Sequence, residues 1–193
     1  MRPEGRSMRE SILVAAVQLF AELGYHAASM RDIAERSGIK AASIYHHYPN
    51  KQALLIEIMN TYMQRLNASL ERILRECDDP EQRLQQAIAS HIFLHTSYKA
   101  EFFIIDTEIR ALDAANRTAI LALRDAYELL LQELLRDGMQ RAVFRQSDVK
   151  VASYAIIAMC TEVSTWFRPN GRLSVQQVVD LYHQLITQVL LQT

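Results

Sequence analysis

The chain of 193 residues has little of what interrupts helices: five glycines and four prolines. That scarcity, with half of the residues apolar, suits a mostly helical globular protein. Long apolar runs are also missing. None approaches the roughly 20 residues of a membrane span. The N-terminal MRPEGRSMRE leads into no signal-type stretch, because ILVAAV is cut short by Gln18 and followed by Glu22. Only two cysteines occur, Cys77 and Cys160. They share no motif spacing and read as reduced core thiols of a cytoplasmic protein. No Ser-His-Asp pattern, glycine-rich phosphate loop or pair of carboxylates in an acid/base setting is present, so nothing argues for an enzyme. A large charge excess is absent too, but the net −1 is uneven. Residues 1–51 hold seven Lys and Arg against five Asp and Glu, whereas the remainder holds fourteen against seventeen. A mildly basic start on an acidic body hints at an anionic partner at the N-terminal end. A sequence-blind architectural DNA protein is disfavoured, because such proteins depend on broad positive charge.

What is present is legible helix punctuation. Ser7 with Glu10, Ser29 with Asp32 and Ser174 with Gln177 form capping boxes, in which two side chains satisfy orphan backbone N–H groups of a first turn. The first helix carries Ile12, Ala16, Leu19, Phe20 and Leu23 on one stripe and stops at Gly24. The second is short, turns inward on Ile33 and Ala34, and ends at Gly38. Asn50 caps a long helix over residues 51–77, and Asp79-Pro80 opens the next. Further helices are expected at about 81–98, 100–112, 114–137, 148–167 and 175–191, with breaks at Gly138, Ser147 and Pro169-Asn170-Gly171. The fold class expected is all-α, with about nine helices and no sheet.

The stretch SGIKAASIYHHYPNK, residues 37–51, stands apart. Ile44 and Tyr48 lie four apart and share the inward face. Lys40, Ser43, Tyr45, His46, His47 and Lys51 are left outside, where each can donate to phosphate oxygens or base edges. Ala41 and Ala42 are small enough to let the helix end approach a groove floor. Arg31, in the first turn of the preceding helix, can reach a phosphate or fork onto a guanine. Three short helices with a glycine turn between the second and third make the layout of a helix-turn-helix. The same spacing also suits a merely solvated polar helix.

Residues 7–58 resemble the DNA-binding domain of the TetR family of transcriptional regulators. The segment AAVQLFAELGYHAASMRDIAERSGIKAASIYHHYPNKQALL carries the resemblance, with Ser43, Ile44, Tyr45, His46, His47, Tyr48 and Lys51 matching the family's run. The resemblance implies a homodimer and a repressor released from double-stranded operator DNA by a small molecule. It places Arg31, Ala41, Ala42 and His46 where members read bases, and Ser43, Tyr45, His47 and Lys51 where they contact phosphates. Met30 stands where Thr is frequent. Tyr48 stands where Phe is usual and needs a partner for its hydroxyl. The implied division is a DNA-binding domain, residues 1–51, and an effector-binding and dimerisation domain, residues 52–193.

The second part matches the family more loosely. Its last two helices carry apolar faces with Ala152, Ile156, Met159 and Val163 on one and Val178, Tyr182, Leu185 and Val189 on the other. They read as internal core, or as the dimer interface that the family implies. TWFRPNGRLS, residues 165–174, and TEIRALD, residues 107–113, resemble a subset of the family that answers to acyl-CoA thioesters in fatty-acid, aromatic or steroid catabolism. Arg168, Arg172 and Arg110 would suit phosphates or carboxylates of such a ligand, with Trp166 beside the same turn, while Arg168 and Arg172 equally suit pairing with nearby acids. Met63, Leu66, Ile88, Ile92, Phe102, Phe103, Ile109 and Tyr127 are candidates for an apolar cavity, and each also reads as plain core. Asp106 and Glu108 lie among apolar residues and must pair or face a cavity. That pair would equally suit a regulator of multidrug efflux that binds lipophilic drugs. His91 and His95, four apart on a helix, could touch the effector, grip one ion or be ordinary interior histidines. The intervening HIFLH is not an H-E-x-x-H motif, and neither a metal nor another cofactor is expected.

Overall fold

A computed structural model describes residues 7–191, which form nine α-helices with no strand among them. The capping residues work as their spacing implies. In α1 (Met8–Leu23) and α2 (Met30–Arg36) both halves of the capping box are made. Hydrogen bonds from Ser29 hold the Asp32 carboxyl below its usual range. After α3 (Ala41–Ile44), Asn50 Oδ1 accepts the Ala53 N–H at 2.9 Å and opens α4 (Lys51–Glu76). Asp79 caps α5 (Pro80–Ser97), with Pro80 at a position where its missing N–H costs nothing. Next come α6 (Lys99–Glu108), a 3₁₀ turn (Ile109–Ala111) and α7 (Ala114–Gln140). The chain closes with α8 (Val149–Trp166), α9 (Val175–Leu185) and a π-helical continuation (Ile186–Leu191).

Gly138 does not break α7, which continues to Gln140. It is a packing residue instead. A Cβ at this position would lie 2.1 Å from Phe144 Cδ2, so only glycine admits the ring. The helix ends through the carbonyl of Gly138, which accepts the N–H groups of Val143 and Phe144 at 2.9 and 3.1 Å. The left-handed residue of this ending is Ala142, at φ 57°.

Packing divides the chain into two compact units. The first unit runs to Met63 and adds Ala100–Leu121, and the second takes Gln64–Lys99 and the chain from Ala122. In the first, α1 packs on α2 and α2 on α3. Ile12, Ala16, Phe20, Ile33, Ala34, Ile44, Leu54 and Leu55 are completely buried there. Leu23, at the end of the apolar stripe of α1, is 54% exposed and lies outside this core. Burying one such side chain as large as Phe20 contributes roughly 1.5–3 kcal/mol.

In the second unit α5 packs against both α8 and α9. Arg83 ties its turns together: Nη1 reaches Asp137 Oδ2 at 2.9 Å and Nη2 donates to the Leu74 carbonyl at 2.8 Å. Arg141 joins the same Asp137 and the Asp78 carboxylate, which it holds below the usual carboxylate range. Cys160 is buried, whereas Cys77 is only half-buried and so is not a core thiol.

Candidate functional site

The turn between α2 and α3 depends on Gly38, whose φ of 72° lies in the left-handed region. Its N–H donates to the Glu35 carbonyl and that of Ile39 to the Ala34 carbonyl, both at 3.0 Å, so α2 hands over directly to α3. Ile44 and Tyr48 are 0% and 1% exposed and anchor α3 and the turn behind it. Lys40, Ala41, Ala42, Tyr45 and His46 are exposed, and Ser43 and His47 are half-buried. Arg31 is exposed in the first turn of α2, while Met30 is buried beside it. The small, donor-rich face expected from residues 37–51 is therefore assembled on one short helix end.

Two side-chain knots hold this end in place. The Tyr48 hydroxyl donates to Glu57 Oε1 at 3.0 Å, which answers the need of a tyrosine where phenylalanine is usual. Arg9 stacks 4.5 Å above the Tyr48 ring, pairs with Glu57 and donates to the His47 carbonyl at 3.3 Å. The second knot corrects the role expected of Lys51. Its ammonium donates to the carbonyls of Tyr25, His26 and Ala28, at 2.6, 3.2 and 2.7 Å, and sits 4.4 Å above the Tyr25 ring. An ammonium has three donors, so none remains for a phosphate, and Lys51 is a brace. Glu108 is used in the same way: its Oε1 accepts the Tyr25 N–H at 3.0 Å. Gln52 donates to the Ala111 carbonyl, so the segment after α6 belongs to the same unit by direct hydrogen bonds.

The second unit contains a small pocket of about 230 Å³, its open mouth included. It is lined by Ala87, Ile88 and His91 of α5, Tyr127 and Leu131 of α7, and Ile156, Ile157 and Cys160 of α8. One polar chain crosses it. His91 Nδ1 lies 2.9 Å from the Tyr127 hydroxyl, and Nε2 lies 2.9 Å from Thr161 Oγ1. The His95 ring stacks on that of His91 at 4.0 Å, and its Nδ1–H donates to the His91 carbonyl at 2.9 Å. Burial keeps His91 neutral, well below the usual histidine range, and lowers His95 to about 4. It also raises the Tyr127 phenol and pushes the Cys160 thiol up to about 12. No group of three or more metal-ligating side chains occurs among the described residues.

Of the residues expected to line a cavity, Ile88, His91 and Tyr127 do so. Leu66, Ile92 and His95 are buried in the same unit without reaching the pocket. Met63, Phe102, Phe103, Asp106, Ile109 and Arg110 belong to the first unit and do not line it. Phe102 packs against Tyr62, whereas Phe103 is 48% exposed. Asp106 and Arg110 are exposed, so water already satisfies them. Arg168 donates Nη1 to the carbonyls of Thr165 and Phe167, both at 3.0 Å, and so closes the end of α8. Trp166 is half exposed and stacks with Tyr182. Sequence reasoning missed Ala87, Leu131, Ile157 and Cys160. The i, i+4 relation to His91 and Tyr127 could have indicated Ala87 and Leu131.

The interface faces expected on α8 and α9 also need correction. Ala152, Ile156, Val163 and Val178 are 8%, 3%, 0% and 1% exposed, so they are buried within one chain, in which α5 packs against both helices. Met159 and Tyr182 are half-buried, Leu185 is exposed, and the side chain of Val189 lies outside the described residues. The apolar side chains left open are Val151, Tyr154 and Trp166 on α8 and Leu181 and Leu185 on α9, between 45% and 65% exposed. No helix among the described residues is long and apolar enough to cross a membrane.

Comparison with known proteins bears on both units. The chain matches the family described as bacterial regulatory proteins, tetR family, over residues 12–58. It matches the tetracyclin repressor-like C-terminal domain over residues 77–190. It is 30% identical over 183 residues to the HTH-type transcriptional repressor KstR2 of Mycobacterium tuberculosis, covering 93% of this chain and 91% of that protein. The solved structure of PfmR, a TetR family transcriptional regulator from Thermus thermophilus, aligns at a TM-score of 0.86 with 35% identity, over 93% of this chain and 98% of that one. The structure of AibR in complex with isovaleryl coenzyme A and operator DNA aligns at 0.82 with 29% identity, over 94% and 97%.

Proposed function

The chain belongs to the TetR family of transcriptional regulators, and on that premise we propose a homodimeric repressor that an acyl-CoA thioester releases from operator DNA. One observation carries the DNA part. Lys40, Ala41, Ala42, Tyr45 and His46 are exposed on a helix end whose anchors, Ile44 and Tyr48, are completely or almost completely buried. Ser43 and His47 take phosphates, Arg31 and His46 meet base edges, and the alanines admit the helix end to the major groove. Residues 1–51 contain this reading face, and residues 52–193 contain the effector pocket and the dimer seam. The open apolar side chains Val151, Tyr154, Leu181 and Leu185 form that seam, since a two-fold pairing buries each of them twice.

The acyl chain enters the pocket at Ile88, His91 and Tyr127. Trp166 and Arg168, half exposed and exposed, serve the coenzyme A end. KstR2 is named a repressor, and AibR was solved with isovaleryl coenzyme A and operator DNA. Both names agree with this reading. The efflux alternative has less support: Asp106 and Glu108, the carboxylates that would suit a lipophilic cation, do not line the pocket. Release requires an effector that prefers the conformer unable to match the two half-sites, since a ligand indifferent between conformers releases nothing.

Fluorescence anisotropy on a DNA site selected from a random pool tests the assignment. Lys40→Ala should weaken binding to every sequence and lessen its salt dependence. Arg31→Ala should relax the preference at one base pair, by ~1–3 kcal/mol. Unchanged affinity and preference in both variants would remove the assignment.

A further inference from the structure

We infer that Glu108, at the end of α6, is a positioning residue for DNA recognition. It fixes the loop of residues 24–28, which sets the start of α2 and with it the place of Arg31. The inference rests on the DNA reading above and adds to it a residue far from the reading face in sequence.

The loop is shaped from outside. Its internal backbone hydrogen bond, from the Ala28 N–H to the Gly24 carbonyl, is long at 3.3 Å. Tyr25 and Ala28 are nevertheless 6% and 1% exposed. The holding groups come from two other elements. Lys51, the first residue of α4, donates to the carbonyls of Tyr25, His26 and Ala28. Gln52 donates to the Tyr25 hydroxyl at 3.1 Å. Glu108 Oε1 accepts the Tyr25 N–H at 3.0 Å. Lys51 thus holds the acceptors of the loop, and Glu108 holds a donor. The two charges also support each other: burial lowers the Lys51 ammonium below its ordinary range, and the Glu108 carboxylate offsets part of that cost.

Gln52 keeps the segment after α6 against the same loop. Its amide donates to the Ala111 carbonyl and accepts the Asp113 N–H at 3.4 Å. One side chain therefore touches both Tyr25 and the chain that follows Glu108.

What these contacts hold is the start of α2. Ala28 is followed at once by Ser29, the N-cap of α2, and Arg31 lies in the first turn. A displaced loop displaces the side chain that we assign to a base edge. Such a contact tolerates little displacement, because a hydrogen bond weakens steeply away from its ordinary length and angle. Sequence-blind attraction to phosphates falls off far more slowly with distance. Glu108 is half-buried and negative, so it acts through Tyr25 and is no partner of DNA itself.

The test measures anisotropy with the full chain on a duplex that the wild type selects from a random pool, and on a random duplex of the same length. Glu108→Ala should bind the selected duplex about tenfold more weakly, the effect of one lost hydrogen bond to a charged group. Its affinity for the random duplex and its salt dependence should be undiminished. Glu108→Gln keeps an oxygen for the Tyr25 N–H and should recover most of the loss. Arg31→Ala should weaken binding less in the Glu108→Ala background than in the wild type, because the two residues act on one contact. Gln52→Ala should shift in the same direction as Glu108→Ala, and it carries the test if Glu108→Ala is unfolded at the assay temperature. Wild-type affinity in the folded variant overturns the inference. So do additive losses for Glu108→Ala and Arg31→Ala, or an equal loss on the random duplex. If the wild type selects no duplex, the DNA reading itself fails and this inference falls with it.

Discussion

His46 and His47 are neighbours in the first unit, one exposed and the other half-buried. His91 and His95, four residues apart in the second unit, are 5% and 3% exposed and stacked at 4.0 Å. Adjacent positions on a helix point about 100° apart and cannot share a partner, whereas positions four apart lie one above the other. The first pair lies on the helix end that we propose meets DNA. The second is consumed internally, by Tyr127, Thr161 and the His91 carbonyl, around a pocket without charge. The contrast extends beyond histidine. In the first unit Lys51, Arg9 and Glu108 are each tied to backbone, while Lys40, Tyr45 and His46 stay exposed.

The strongest way to break this comparison is to place a charge in the uncharged interior. Ile156→Glu puts a carboxylate in the pocket lining, and thermal unfolding should show a loss of about 4 kcal/mol or more. Val151→Glu, at a position 65% exposed, should keep the helical circular dichroism but convert dimer to monomer in light scattering. An Ile156→Glu protein as stable as the wild type would contradict the uncharged-interior reading.

Acid should act on the second pair of histidines. Their folded values lie below the ordinary 6.5, so the unfolded chain binds more protons at low pH and stability rises with pH. The stabilisation is fully present above about pH 6.5 and is lost as pH falls toward 4. For His95 alone the loss at pH 4 is on the order of 3 kcal/mol. Melting temperatures from pH 7.5 to 4 should fall in the wild type and fall less in His95→Gln. Parallel curves would contradict the burial argument.

Smaller effects sharpen the account of local structure. Gly138→Ala should cost ~2 kcal/mol in chemical denaturation, because its Cβ meets the Phe144 ring. Ala142→Gly should stabilise by up to ~1 kcal/mol, since it relieves a left-handed alanine. Tyr48→Phe removes the bond to Glu57 and should cost about 1 kcal/mol without abolishing DNA binding, as the ring still fills its site.

These residues also mark how far the sequence could be read. Caps and helix stops were legible because their chemistry is local: Ser7 with Glu10, Asp79 with Pro80, and Gly38. The exposed end of α3 was legible because Ile44 and Tyr48, four apart, both turn inward and leave their neighbours outside. What lay beyond local rules was the identity of the covering partner. The apolar period of α8 marks Ile156 and Val163 as a buried face, but only packing reveals that α5 does the covering. Gly138 looked like a helix stop because glycine usually supplies the left-handed residue, yet Ala142 supplies it here. Lys51 looked free because the carbonyls of Tyr25, His26 and Ala28 lie more than twenty residues away.

The central claim is that the exposed end of α3 reads DNA, and selection from a random double-stranded pool tests it most directly. Wild-type protein should enrich a near-palindromic site with two equivalent half-sites. Ala42→Glu, which sets a bulky carboxylate at an exposed position of the helix end proposed to enter the groove, should melt like the wild type and enrich nothing. Enrichment of the same site by Ala42→Glu, or no enriched site with the wild type, would contradict the account.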